Sequence, residues 1–131
     1  MKFKVNKESV KGDTGFGEIL ISPDETNGYR PVELFVSSLV GCSGSILKNI
    51  LVKKRYSFQE IEIDVSLVRN PDKVNRIEQI SINAYVEAEK PLPPQQAEKI
   101  ADLVVKNCGM IQSVIQAITI LYTVKSIPLK S

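Results

Sequence analysis

Histidine is absent from the 131 residues, which removes His-based catalytic triads, imidazole bases and histidine-containing metal sites. Cysteine occurs only twice, at Cys42 and Cys108, 66 positions apart. Such a pair makes no zinc site without carboxylate help, and neither cysteine stands in a metal-ligand spacing. Excess charge is lacking too. A formal net charge of +2 is too slight to argue for nucleic acid or an anionic membrane surface as partner. The only basic run, Lys53-Lys54-Arg55, suits the negative end of a helix. No repeat, low-complexity tract or linker interrupts the chain. No leader pattern precedes the alternation that opens at Met1-Lys2-Phe3-Lys4-Val5, so the expected compartment is the cytoplasm, where a permanent disulfide is not expected. Thiol chemistry here has to be activated by Arg, Lys, a carboxylate or a helix dipole.

Hydrophobic residues make up 43% and charged residues 24%, enough to build a real core, and the length predicts one domain over residues 1–131. The chain is organised around the stretch from Arg30 to Lys54, in which no residue between Leu34 and Leu47 carries a charge. Pro31 suits a first helical position and Glu33 complements the positive end of the helix dipole. Phe35, Leu39, Cys42, Ile46 and Ile50 recur at helical spacing, and Val36, Val40, Leu47 and Leu51 widen that face. The opposite side carries Ser37, Gly41, Gly44 and Ser45, small enough for another backbone to come close. A helix apolar or small on every side is expected to be buried on every side. Its Ser and Gly interruptions read as too short an apolar run for a membrane span of about 20 residues.

Before this helix, residues 2–6 alternate as a half-buried strand, Lys7 to Gly15 reads as a turn-rich link, and Phe16 to Ile21 reads as a second strand, giving an N-terminal hairpin. After it the period switches to two. Ile61, Ile63, Val65 and Leu67 face one way; past the turn Asn70-Pro71-Asp72-Lys73, Ile80, Ile82, Ala84 and Val86 repeat the pattern. Two such strands predict an antiparallel hairpin with one wet face, its dry face covered by the central helix. Pro91-Leu92-Pro93-Pro94 opens a further helix with a core stripe of Ala97, Ile100, Ala101 and Val104. Asn107-Cys108-Gly109 breaks it, a short helix follows over Met110–Ala117, and a strand over Ile118–Ile127 closes the chain. The class is α+β.

Taken alone, Cys42 on an apolar helix reads as a small core hydrophobe. Cys108 sits at a helix break, where the N–H groups of the next helix lower a thiol pKa. The two sulfurs bridge only if the Cα atoms come within roughly 7 Å. Arg30, just before the central helix, reads either as a solvated loop residue or as a cation folding back toward the first turn.

Pro31-Val32-Glu33-Leu34 followed by Leu39-Val40-Gly41-Cys42-Ser43-Gly44 resembles the signature of the OsmC/Ohr family, in which such a segment leads into a buried helix bearing the reactive cysteine. Cys108-Gly109-Met110-Ile111-Gln112-Ser113 is similar to the family's second cysteine motif, and the element order agrees from residue 2 to about residue 127. The resemblance implies antiparallel sheets wrapped around a buried central helix and a second, kinked helix, assembled as an intertwined homodimer. It implies a cysteine-based hydroperoxide reductase serving oxidative-stress defence: Cys42 attacks an organic hydroperoxide, Cys108 resolves the product to a disulfide, and an external dithiol, with no bound cofactor, reopens it. Phe35, Leu39, Ile46 and Met110 would line the substrate pocket. The family activates its thiolate with an Arg–Glu pair, which points to Glu33 and to Arg30 or Lys11. Lys11 stands in the hairpin stretch where the peroxidases carry Arg, and Glu33 lies one position closer to Cys42 than in them, as in the family's less-characterised branch. The alternative that this implies is a non-catalytic member that binds a small apolar ligand or senses oxidants. A hot-dog-like thioesterase or acyl-binding protein also wraps a helix in a sheet, but has no use for two cysteines.

Overall fold

The computed structural model describes residues 1–130. The chain forms two compact units, one over Met1–Ser38 and one from Leu39 onward. In the first, β1 (Lys2–Val5), β2 (Val10–Asp13) and β3 (Glu18–Ile21) make an antiparallel sheet in the order β1-β2-β3. The expected two-stranded hairpin is therefore a three-stranded meander, and part of the Lys7–Gly15 link is its middle strand. Gly12 and Asp13 argue against a strand locally. Pairing on both sides, Phe3 with Gly12 and Gly12 with Ile19, overrides that preference. Phe3, Val5, Val10, Ile19 and Ile21 share one face by register, yet Phe3 remains 51% and Val5 79% exposed. The loop after β3 folds back on it: the Tyr29 N–H donates to Leu20 O at 2.8 Å and the Ser22 N–H to Tyr29 O at 3.0 Å. Gly28 is required there, because a Cβ would stand 2.8 Å from the Leu20 carbonyl.

The helix α1 (Pro31–Lys53) begins at the predicted proline and crosses into the second unit. Its buried residues are Leu39, Ser43, Leu47 and Leu51, a strict i, i+4 row. Leu39, Leu47 and Leu51 belong to the expected face, but its other members Phe35, Cys42, Ile46 and Ile50 are only half-buried, and the row is completed by Ser43. Burial on all sides does not occur within one chain either, since Ser37, Gly41, Ser45 and Val52 are exposed. A helix apolar all round has no period from which to read its inner face; the sheet it meets makes the choice. Gly44 lies against that sheet, with Ile63 Cδ1 3.4 Å from where a Cβ would stand. The length argument against a membrane span fails as well, for the 23-residue helix is long and apolar enough by composition, with a mean hydropathy of 1.5 over its most apolar window. What opposes it is packing: Leu47 and Leu51 sit in the core. The helix ends with Arg55 in the left-handed region (φ 56°), the Tyr56 N–H donating to Leu51 O and the Arg55 N–H to Val52 O, both at 3.0 Å.

The second sheet has the order β4-β5-β6, with β4 (Ile61–Asn70), β5 (Arg76–Glu87) and β6 (Thr119–Ile127). The first two pair antiparallel through a 3₁₀ turn at Pro71–Lys73, whose start is capped by Asn70 accepting the Asp72 N–H. Period two holds along both. Ile61 stands opposite Val86, Ile63 opposite Ala84 and Val65 opposite Ile82, and Ile80, Ile82, Ala84 and Val86 are all buried. The last strand pairs parallel to β5, bringing Ile120, Tyr122 and Val124 to the same dry face. Parallel neighbours need a long crossover, which α2 (Pro94–Asn107) and α3 (Gly109–Val114) provide. All four predicted core positions of α2, Ala97, Ile100, Ala101 and Val104, are buried, and they meet Leu47, Leu51, Ala84, Val86 and Val124 in one core.

Candidate functional site

Cys108 belongs to neither of the helices it separates. Its backbone is extended (φ −90°, ψ 105°), so it ends α2 and caps α3, its Sγ accepting the Ile111 N–H at 3.5 Å. Two side-chain amides hold the break in shape: Asn107 Nδ2 donates to Leu103 O and Gln112 Nε2 to Val105 O, each at 2.8 Å. The sulfur is completely buried. Burial pushes the Cys108 thiol up in pKa, the Ile111 N–H opposes the rise, and the neighbouring Cys42 thiol adds to it. The expectation that the new helix lowers this thiol is thus corrected: the N–H contribution is present and desolvation outweighs it.

Cys42, half-buried on α1, is close enough for its thiol to act on the Cys108 proton, and both cysteines are free thiols. The structure therefore brings together two residues 66 positions apart. Two buried hydroxyls that the sequence did not single out belong to the same unit. Ser43 follows Cys42 on the inner row of α1 and is fully buried. Tyr122 comes from the dry face of β6, opposite Ile82. Its Oη and Ser43 Oγ are shut off from solvent and lie near one another, without an ideally aligned hydrogen bond. Burial raises the Tyr122 phenol, the nearby Ser43 hydroxyl opposes the rise, and a charge on Cys108 adds to it. The alternation of β6, which sets Tyr122 two residues before the buried Val124, is the signal from which its inward side could have been read.

The expected activating groups lie in the first unit. Arg30 Nε donates to Glu33 Oε1 at 2.9 Å, an exposed i, i+3 pair at the start of α1, and Lys11 Nζ stands 3.6 Å from Glu18 Oε1 across β2 and β3. Among the described residues, no Lys or Arg is one of the groups that shift Cys108 or Tyr122. Of the expected pocket residues, Leu39 is buried, Phe35 and Ile46 are half-buried and Met110 is 44% exposed. The groove of about 440 Å³ between α2 and β6 is lined by others, among them Leu92, Ala97, Ala101, Asp102, Tyr122 and Lys125.

A family model described as OsmC-like protein matches residues 23–123. The chain belongs to the OsmC-like family. Among solved structures, this OsmC-like chain is similar to a hypothetical protein from Aquifex aeolicus VF5, with 21% identity, TM-score 0.84, and 98% of this chain and 96% of that one covered. It is similar also to an organic hydroperoxide resistance protein OsmC, described as a predicted redox protein, from Legionella pneumophila (18% identity, TM-score 0.69, 96% and 94% covered). The organic hydroperoxide resistance protein OhrB of Bacillus subtilis matches at 17% identity and TM-score 0.68, with 95% of each chain covered. At these identities the likeness is one of fold. No curated protein matches the chain.

Proposed function

We propose that this OsmC-like protein reduces organic hydroperoxides through a two-thiol cycle. The observation that carries the reading is the meeting of two free cysteines, one on α1 and one at the α2–α3 break. Cys42, the more accessible sulfur, attacks the O–O bond: Cys42–SH and ROOH give Cys42–SOH and ROH. Cys108 then condenses with the sulfenic acid, releasing water and leaving a disulfide, which an external dithiol reduces. Apolar neighbours on α1, Leu39 and Ile46 with Phe35 further along, suit an alkyl hydroperoxide better than hydrogen peroxide. Arg30, held by Glu33, or Lys11 is proposed as the source of positive charge for the thiolate.

The working unit is proposed to be a homodimer in the cytoplasm, without nucleic acid or membrane partners. Support comes from the apolar surface one chain leaves open: Val52 and the half-buried Phe35, Val36, Ile46 and Ile50 of α1, and Phe3 and Val5 on the first sheet. A second copy covers both faces without requiring a foreign partner.

One observation favours a second reading, a non-catalytic member that binds a small apolar ligand or senses oxidants. Lys11 is engaged with Glu18 and offers no planar fork to hold sulfur and carboxylate together. The test is to add tert-butyl hydroperoxide to the reduced protein and count free thiols. Loss of both, repeated over many turnovers with a dithiol, is the expected result. A single round without turnover selects the sensor, and unchanged thiols overturn the thiol cycle.

A further inference from the structure

The thiol cycle makes no use of the basic run that closes α1. Lys54, just past the last helical residue, lines a groove of about 340 Å³ together with Lys99, Asp102, Leu103 and Lys106 of α2. On α2 these four stand at i, i+3, i+4 and i+7, a single stripe on the side away from the buried Ala97, Ile100, Ala101 and Val104. Leu47 and Leu51 share one core with that buried row, which sets the end of α1 beside α2.

All three lysines are exposed and, among the described residues, none is ion-paired. Asp102 has Lys99 one turn before it and Lys106 one turn after it, yet pairs with neither. Like charges gathered on one surface repel, so the cluster is unfavourable for the chain alone. Helix dipoles account for Lys53 and Lys106, each in the last turn of its helix, but give no reason for Lys99 midway along α2. Leu103 is equally out of place, 40% exposed on the polar side of α2 and in the same groove. A cleft of this size with an apolar wall and a few convergent charges has the form of a small-molecule site. We propose that it binds a small organic phosphate, the phosphate among Lys54, Lys99 and Lys106 and the apolar body against Leu103. Three cations against one carboxylate leave an excess of positive charge. A phosphate monoester, which carries about −1.5 to −2 at neutral pH, offsets it. Lysine suits this ligand, as a flexible point charge that meets any of the phosphate oxygens. None of these residues belongs to the thiol site, so the proposal stands apart from the peroxide chemistry.

The experiment is a titration of the ¹⁵N-labelled protein with phenyl phosphate, inorganic phosphate and phenol, read from amide shifts. Phenyl phosphate is expected to move the amides of Lys54, Arg55 and residues 99–106 saturably. It is expected to bind about fivefold or more tightly than inorganic phosphate, because the ring covers Leu103, while phenol alone does not bind. Joint replacement Lys99→Gln and Lys106→Gln is expected to weaken phenyl phosphate about tenfold. Leu103→Ser is expected to lower its affinity to that of inorganic phosphate. Lys125→Gln, on β6 and outside this groove, is expected to leave binding unchanged. Shifts scattered over lysines elsewhere overturn the proposal. So does inorganic phosphate bound as tightly as phenyl phosphate, or a double variant that binds as well as the wild type.

Discussion

Cys42 and Cys108 differ in surroundings more than in chemistry, and that difference sets their predicted phenotypes. Cys42→Ser is expected to abolish peroxide consumption. Cys108→Ser is expected to leave a sulfenic acid on Cys42, read by mass after dimedone labelling. Equal activity of wild type and Cys42→Ser would end the thiol cycle. Burial gives Cys108 and Tyr122 a further signature. Both hold their protons more tightly folded than unfolded. Their contribution to stability is therefore complete below the ordinary thiol value of 9.0, and it is lost as pH climbs through the raised folded values. Urea midpoints are expected to fall above that pH, and to fall less in Cys108→Ala; a midpoint that holds level into alkali contradicts this. Cys108 at a break was legible from Asn107-Cys108-Gly109, because glycine and asparagine end helices by local geometry. Its raised pKa was not, because desolvation depends on neighbours distant in sequence.

At the scale of elements, legibility followed how one-sided each segment is. In α2, Ala97, Ile100, Ala101 and Val104 face the core and charged residues face water, so period alone located its inner face. Ile100→Ala is expected to cost about 2–5 kcal/mol by chemical denaturation, since the site is fully buried in the common core. The long α1 gave no such contrast, and its inner row went to Leu39, Ser43, Leu47 and Leu51. Its C-terminal end offers a gain. Arg55 holds a left-handed conformation that glycine adopts without steric cost, so Arg55→Gly is expected to raise stability by roughly 0.5–1 kcal/mol. A loss of stability there would mean that the Arg55 side chain matters more than its backbone. The middle strand β2 was hidden because Gly12 and Asp13 are poor strand formers, and only the flanking strands compel the conformation.

For the whole molecule, the open question is what covers the apolar surface that one chain exposes. Sedimentation is expected to show a dimer that persists on dilution and separates only as the fold is lost; a stable monomer would contradict the proposed assembly. From sequence alone came the α+β class, a long helix starting at Pro31 with no charge between Leu34 and Leu47, the alternating pair β4–β5, the amphipathic α2 and two cysteine motifs similar to those of the OsmC/Ohr family. Each is written in residues close together along the chain, where period, proline and glycine act directly on the backbone. Tertiary structure alone decided which side of α1 turns inward, that β6 runs parallel to β5, and that the Cys42 and Cys108 thiols come within reach of one another. These depend on contacts between residues scores of positions apart, and a local pattern carries no record of which distant partner will close over it.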